Sequence, residues 1–279
     1  MAYHQETDIQ LLTEMFRHLT NRLVIDIGAE KGTVVQVFLE QGCEKVYAFE
    51  PFPPSLAGLR ERYGSEPRVE IFDHAAGSQN EQRDLHIAQD DAGNDYSYYH
   101  SLVLNTETPV VHWGRAIPVQ VRTLDSLVAE GKLPARVGVL KIDTEGNDLN
   151  VLQGMGQLQS DIVVVECWTG LDGTLEDPPY TLAELAATMR PRGYNHFGYL
   201  KRNQADESLT IDTTHTQPGD WGNVIFIHDS QAALLLPPMR QMQQRLTQQI
   251  HQRLQQQRWA HVRHNLRHLL ERIGVLPSR

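Results

Sequence analysis

The sequence predicts an α/β fold built on a doubly wound, mostly parallel sheet, and three observations carry that prediction. Short apolar runs rich in Val and Ile recur along the chain. Between them lie stretches whose apolar residues repeat every three or four positions, the spacing of one helix face. The runs are near-continuous rather than alternating, as strands are when helices cover both faces of their sheet.

The elements follow in order. Ile9, Leu12, Met15, Phe16 and Leu19 mark one face of an opening helix. The first buried strand spans residues 22–27, and a helical stretch leads to KVYAFEP at 45–51. A helix pattern around LAGLRERYG precedes VEIFD at 69–73, which completes a β-α-β-α-β rhythm. From Ala75 to Pro118 the rhythm gives way to a polar segment too long for an ordinary connection, and such loops usually carry function. IPVQVRTL alternates like a half-exposed strand, and a helix follows from Leu124 to about Glu130. VGVLKID (137–143) and DIVVVECW (161–168) read as the fourth and fifth buried strands. A helix over TLAELAATMRPRGY, then NHFGYL and NVIFIH (223–228), close the pattern.

Size and composition bound the reading. A chain of 279 residues with 40% apolar composition can bury one large core plus an appendage. The expected division is an N-terminal helix (1–20), a main domain (21–230) and a glutamine-rich basic helical tail (231–279). Two cysteines, Cys43 and Cys167, are too few for a disulfide framework and lie in or beside apolar runs, so a reducing, cytoplasmic setting is expected. The first residues lack a basic start followed by an apolar stretch, and no window approaches the ~18 apolar residues that span a bilayer. Formal net charge is −10, but residues 239–279 hold eight arginines, no lysine and one acid, so +7 in the tail stands against −17 elsewhere. So acidic a body is a poor binder of polyanions, and no nucleic-acid partner is expected.

Chemistry concentrates where the first strand ends. RLVIDIGAEKGT carries Asp26 inside the strand and Gly28 and Gly32 in the turn beyond it. In open α/β sheets, ligands sit beyond the carboxyl ends of strands. Gly28 would let the backbone leave the strand at angles a side chain forbids, and Gly32 would let it pass close to a ligand. The turn matches neither G-x-G-x-x-G nor G-x-x-x-x-G-K-[ST], which sets aside nicotinamide, flavin and P-loop nucleotides. Glu50 ends the second strand, with Pro51 fixing it at the crevice rim, where a carboxylate can accept from both hydroxyls of a ribose. Asp73, closing the third strand, is placed for an adenine amino group or simply forms a turn.

VIDIGAEKGT, YAFEP, FDHAAGS, VRTLDSL and above all LKIDTEGNDLNVLQGM followed by DIVVVE resemble the FkbM family of S-adenosylmethionine-dependent methyltransferases, in consistent order over about residues 20–230. The resemblance implies a Rossmann-like class I methyltransferase fold with seven strands, the last antiparallel. It also implies methyl transfer to oxygen, commonly a hydroxyl of a sugar or a polyketide, with S-adenosylhomocysteine as product. Asp26, Gly28 and Gly32 match the cofactor loop, Glu50 the ribose acid, and His74 with Ala75 the segment after the third strand. Glu30 stands where many relatives have Asn.

An alcohol is a weak nucleophile at neutral pH, so a base or metal near it would help. Asp143 ends the fourth strand, Glu145 is two residues on, and Glu166 ends the fifth. Three acids at one sheet edge make either a general base or an oxygen-rich Mg²⁺ site. Glu145 also has a plainer reading, an acid capping a helix over Asn147–Leu152. His74, His100 and His196 follow or neighbour strand ends, and His100 in YSYYHS is the first of them to test as a base. Tyr96, Tyr98, Tyr99 and Trp113 could stack on a sugar ring or plug the long segment, and Ser101 resembles a family serine at the cofactor. Trp168 would face the acceptor or finish the core.

DPPY (177–180) is the signature of DNA amino-methyltransferases, but there it follows the fourth strand and here the fifth, so it reads as a helix start. In the tail, Met239, Met242, Leu246, Ile250 and Leu254 recur every three or four residues, and Trp259, Val262, Leu266, Leu269, Leu270 and Ile273 continue in a changed phase. So narrow a stripe needs a surface: another copy of the chain, the acidic body, or an anionic membrane. Self-association through these helices is the expected use. The functional expectation is O-methylation of a saccharide or glycoconjugate hydroxyl. The alternatives are methylation of a polyketide hydroxyl or a nitrogen, and a non-catalytic binding or scaffolding protein on the same fold.

Overall fold

A computed structural model describes residues 7–90, 92–96, 99–103, 112–169, 179–202, 207–217 and 219–272, with side chains of the last helix described as far as Gln255. In chain order the strands are β1 (Leu23–Ile27), β2 (Lys45–Phe49), β3 (Val69–Phe72), β4 (Ala75–Ala76), β5 (Glu81–Gln89), β6 (His112–Arg122), β7 (Arg136–Ile142), β8 (Gln159–Trp168), β9 (His196–Arg202), β10 (Glu207–Ile211) and β11 (Trp221–Ile227). The helices are α1 (Thr7–Phe16), α2 (Thr33–Glu40), α3 (Pro53–Tyr63), α4 (Leu124–Ala129), α5 (Asp148–Gln153), α6 (Leu182–Met189) and α7 (Ala232–Arg272).

The main sheet runs β10-β9-β11-β8-β7-β1-β2-β3. Its β3, β2, β1, β7 and β8 pair in parallel, and β11 lies antiparallel between β8 and β9. The seven strands that the family resemblance implies are therefore present, and β10 adds an eighth at the far edge, antiparallel to β9. The chain winds outward from β1 to β3, returns to β7 and winds the other way, so strand order reverses between β1 and β7. Register completes the placement. Ile27 pairs with both Phe49 and Ile142, and Phe49 with Phe72, so the next residues along each strand, Gly28, Glu50, Asp143 and Asp73, line one edge of the sheet.

Both faces of the sheet are buried, which is why its strands read as unbroken apolar runs. On one face Met15, Phe16, Phe38, Leu59 and Met239 from α1, α2, α3 and α7 share a core. On the other, Leu127, Val151 and Leu185 from α4, α5 and α6 form a second. Each large side chain withdrawn from water in this way contributes about 1.5–3 kcal/mol. Cys43 and Cys167 are buried free thiols within these cores.

The expectation of a long loop after Ala75 is corrected. Residues 75–122 contain a separate three-stranded sheet in the order β4-β6-β5. Its inner face packs Leu85, Ile87, Val119 and Val121 against Phe52 and Ala75 at the rim of the main sheet. Its outer face is wet, so β5 and β6 alternate and their polar residues disguise them. A second correction concerns Pro237 and Pro238, which lie inside α7 rather than before the tail helix. Leu235, Met239, Met242 and Leu246 bring this helix into the first core, and Arg245 meets Glu14 of α1 at 2.6 Å. That burial offsets the ~3 kcal/mol a proline costs inside a helix. Leu254 is half exposed. The apolar positions expected from Trp259 to Ile273 lie outside the described side chains. No described helix is long and apolar enough to cross a membrane.

Candidate active site

At the end of β1 the chain turns through Gly28 at φ +84° and enters α2 through Gly32 at φ +77°. The reason for these glycines differs from the one the sequence suggested. A Cβ on Gly28 would sit 1.9 Å from the Asp143 carbonyl oxygen, and one on Gly32 would strike Tyr63 at 2.4 Å and Leu59 at 2.7 Å. Both are demanded by neighbouring protein: Gly28 lets β1 and β7 end side by side, and Gly32 lets α3 lie against the start of α2. Between them Glu30 adopts φ +47°, an uncommon conformation for a side-chain-bearing residue, and its N–H donates to Glu50 Oε2 at 2.8 Å.

Glu50 is buried, and the Phe52 N–H donates to its other oxygen, Oε1, at 2.8 Å. A carboxylate offers about four acceptor sites, so one on each oxygen remains open. Burial dominates its titration and pushes its pKa up to about 7 against the two backbone donors. Glu50 shares one cavity with Gly28, Glu30, Pro51, Ser55, Ala75, His100 and the turn Asp143–Glu145, and Leu85 of β5 and Leu102 also line it.

Behind this cavity Asp26 is completely buried, with neither carboxylate oxygen hydrogen-bonded among the described residues. Burial pushes its pKa up to about 6, with Lys141 opposing and Asp143 reinforcing the shift. Four of the other residues predicted to hold a cofactor, Gly32, Asp73, His74 and Ser101, do not line the cavity. Asp73 is exposed and paired with Arg60 at 3.1 Å. His74 packs edge-on against Phe49 and Phe72, with its Nδ1 3.7 Å from Asp73. Ser101 is buried, donates to the Glu145 carbonyl oxygen at 2.6 Å and accepts from the Val103 N–H.

The three acids predicted to converge do converge. One carboxylate oxygen each from Asp143, Glu145 and Glu166 lie within 4.8 Å of one another. Lys141, two residues before Asp143 on the same strand face, donates to Asp143 Oδ2 at 2.9 Å. Glu145 sits at φ +53° in the turn before Gly146, outside helix α5, which begins at Asp148 after Asn147. The helix-capping reading of Glu145 is therefore set aside. Burial raises the pKa of both Glu145 and Glu166, reinforced at Glu145 by Glu166, Asp143 and Asp148 and at Glu166 by Asp143 and Asp148, so both favour the protonated form.

Supporting residues escaped the sequence reading. Asp148 is fully buried and accepts from Thr144 Oγ1 at 2.9 Å, and the Tyr180 hydroxyl donates to the Glu166 carbonyl at 3.1 Å. The buried Asn147 amide donates to the Ala76 carbonyl at 3.0 Å, tying the acid-bearing turn to β4. Only the spacing of Lys141 and Asp143 on one strand was available as a signal; the rest depends on folding. His196 is paired with Asp212 at 3.0 Å, away from the cavity.

The rings near the small sheet are partly gathered. Tyr96 and Tyr99 stack at 5.3 Å between centroids, while Trp113 meets His86 edge-on at 6.2 Å. Tyr98 lies outside the described residues, as do Asp177 and Pro178 of DPPY. Trp168 ends β8 with its indole Nε1 buried. On the edge of β5, His100 Nδ1 accepts from the Ala88 N–H at 3.1 Å, and its ring meets Phe52 edge-on at 4.3 Å. Burial lowers the His100 pKa.

A family model described as the methyltransferase FkbM domain matches residues 26–195. The hexuronic acid methyltransferase AglP of Haloferax volcanii is 29% identical over 149 residues, 53% of this chain and 56% of that protein. The 2-O-methyltransferase NoeI of Sinorhizobium fredii is 25% identical over 138 residues, 47% of this chain and 56% of its own. The chain thus spans little more than half the length of these curated relatives. Among solved structures, the precorrin-6y C5,15-methyltransferase of Geobacter metallireducens aligns with 79% of this chain and 87% of its own at 12% identity and a TM-score of 0.42.

Proposed function

The chain belongs to the FkbM methyltransferase family, and on that premise we propose that it moves a methyl group from S-adenosylmethionine to a hydroxyl of a saccharide or glycoconjugate. The observation that carries the reading is Glu50. It is a buried carboxylate that lines the cavity at the sheet edge, and each of its oxygens accepts from one backbone N–H and can accept once more. Two ribose hydroxyls satisfy that arrangement, each as a charge-assisted hydrogen bond of about 1.5–3 kcal/mol. When bound, S-adenosylmethionine supplies an already electrophilic sulfonium methyl, so the protein is left with positioning and proton removal.

Asp143 is the residue we assign to the proton. It lines the cavity, is partly exposed, and is held in orientation by Lys141. Asp143 would take up the proton of the acceptor hydroxyl, and the bound cofactor would supply the methyl group and leave as S-adenosylhomocysteine. Mg²⁺ on the same three carboxylates is a further reading of their convergence; the Lys141 ammonium on Asp143 and the proton held by the glutamates weigh toward proton transfer without the ion.

A saccharide acceptor is supported by the name of the Haloferax relative and by the stacked Tyr96–Tyr99 pair, whose Tyr96 is exposed. The test is transfer of labelled methyl from S-adenosylmethionine to a panel of glycans and nucleotide sugars, with and without Mg²⁺. Label on a sugar oxygen supports the assignment, and label confined to nitrogen overturns it. Calorimetry with S-adenosylhomocysteine separates the enzyme from a scaffold of the same fold, since no binding counts against every methyltransferase reading.

A further inference from the structure

His100 was the first histidine to test as a base, and its surroundings point elsewhere. β5 is the edge strand of the small sheet, and isolated bridges at His86–Ser101 and Gln89–Asp95 run along its outer side. At His86 this edge pairs with Ser101, the His86 N–H donating to the Ser101 carbonyl at 2.8 Å and the Ser101 N–H to the His86 carbonyl at 3.2 Å. Two residues on, the Ala88 N–H points out of the same edge and finds a ring nitrogen in place of a carbonyl: His100 Nδ1, at 3.1 Å. A nitrogen that accepts a hydrogen bond carries no proton, so in neutral His100 the proton resides on Nε2. That Nε2 is buried and has no partner among the described residues, although the ring lines the cavity that Glu50 opens onto. A buried donor left unsatisfied costs about 1–3 kcal/mol, so a site that keeps one has a use for it.

We propose that His100 is a binding residue of fixed tautomer, whose Nε2–H donates to an acceptor oxygen or nitrogen of the nucleoside in the cavity, and that it is not the general base. Its place supports the nucleoside rather than the methyl acceptor. The ring packs on Phe52, whose N–H holds the Glu50 carboxylate. Its neighbours in the lining, Pro51, Ala75, Leu85 and Leu102, give that part of the cavity apolar walls suited to a flat base. The acids that would receive a proton lie in the Asp143–Glu145 turn. A nucleoside carries several acceptors and few donors beyond the hydroxyls and amino group that Glu50 and backbone carbonyls can take. A neutral donor in the same cavity as Glu50 complements it.

This inference rests on the S-adenosylmethionine reading, and the experiment separates the two. Wild type, His100→Phe and His100→Gln are titrated calorimetrically with S-adenosylhomocysteine, and histidine-¹⁵N-labelled wild type is followed by NMR at pH 7.5 with and without it. The expected result is a five- to tenfold loss of affinity in His100→Phe, which keeps the ring on Phe52, with recovery in His100→Gln, which restores a donor. The NMR result expected is an Nε2-protonated neutral ring whose Nε2–H resonance moves on binding. Unchanged affinity in His100→Phe, an Nδ1-protonated ring, or an Nε2–H resonance that ignores the ligand overturns the proposal. So does His100→Gln losing turnover at saturating cofactor with full affinity, the mark of a base. If wild type binds no S-adenosylhomocysteine, the methyltransferase reading falls as well; binding with an indifferent His100 removes this inference alone.

Discussion

The Ser101 hydroxyl donates to the Glu145 carbonyl oxygen at 2.6 Å, across 44 positions of sequence, and so bolts the small sheet to the turn that carries the site's acids. Glu145 holds a left-handed backbone conformation that costs an ordinary residue about 1–2 kcal/mol, and the bolt helps to keep it there. Ser101→Ala removes a bond worth about 1 kcal/mol. The expected outcome is a fall in kcat of about fivefold, with S-adenosylhomocysteine affinity within a factor of two of wild type. Steady-state kinetics alongside calorimetry checks this, and an affinity loss with kcat intact would return Ser101 to the cofactor.

Glu50→Ala is expected to weaken S-adenosylhomocysteine binding at least tenfold, as the loss of charge-assisted acceptors requires. Calorimetry on the variant decides it, with circular dichroism to verify folding. Unchanged affinity would remove the ribose assignment.

The same carboxylate sets a pH dependence. With its pKa raised by burial to about 7, Glu50 is largely protonated at pH 6 and accepts hydrogen bonds only weakly. Binding favours the ionised form, so affinity rises with pH through about 7 and levels off above it. Titrations from pH 5.5 to 8.5 should show this limb in wild type and lose it in Glu50→Gln. A flat wild-type profile would show that Glu50 is already ionised, or is not at the ligand.

Asp143→Asn should spare cofactor binding and lower turnover by 10²- to 10⁴-fold, the range general bases supply. Single-turnover methyl transfer at saturating cofactor is the measurement. Full activity would acquit Asp143.

Stability of the ligand-free protein should fall as pH rises. Burial raises the pKa of Asp26, Asp148, Glu145, Glu166 and Glu50. The folded chain therefore keeps protons that the unfolded chain has released above about pH 4.5, the ordinary carboxyl range. Stability from these groups is complete below that range and is lost as pH climbs through the folded-state values, so Tm should be several degrees higher at pH 6 than at pH 8.5. Calorimetric melts at the two pH values test the sign.

Much of this was legible in the chain. Strands buried on both faces, such as β1 and β8, write themselves as apolar runs, and where each run stops names the residue at the sheet edge. Glu50 and Asp143 were placed at that edge in this way, whereas Glu166, read as the end of its strand, lies inside β8, which runs on to Trp168. The small sheet was not, because β5 buries one side only and its exposed Glu81, Gln82 and Asp84 read as loop. The partner of His100 Nδ1 was equally hidden. It depends on which N–H groups an edge strand leaves unpaired, a consequence of pairing between segments that share no local pattern. The orphaned carboxylate of Asp26 is likewise a property of depth, and sequence records depth only through neighbours.

The small sheet joins the main fold through a single doorway. Ala75 and Ala76 of β4, where the chain enters, pair with Val121 and Arg122 of β6, where it leaves, and the Gly77 N–H donates to the Arg122 carbonyl at 3.0 Å. Entrance and exit are side by side, so everything between them forms an exchangeable cassette. Grafting the corresponding segment of another family member onto these two anchors would leave Glu50 and Asp143 standing where they are. Exchange of that module would replace the walls that Leu85, His100 and Leu102 give the cavity, while Glu50 and Asp143 stay in place on the main sheet.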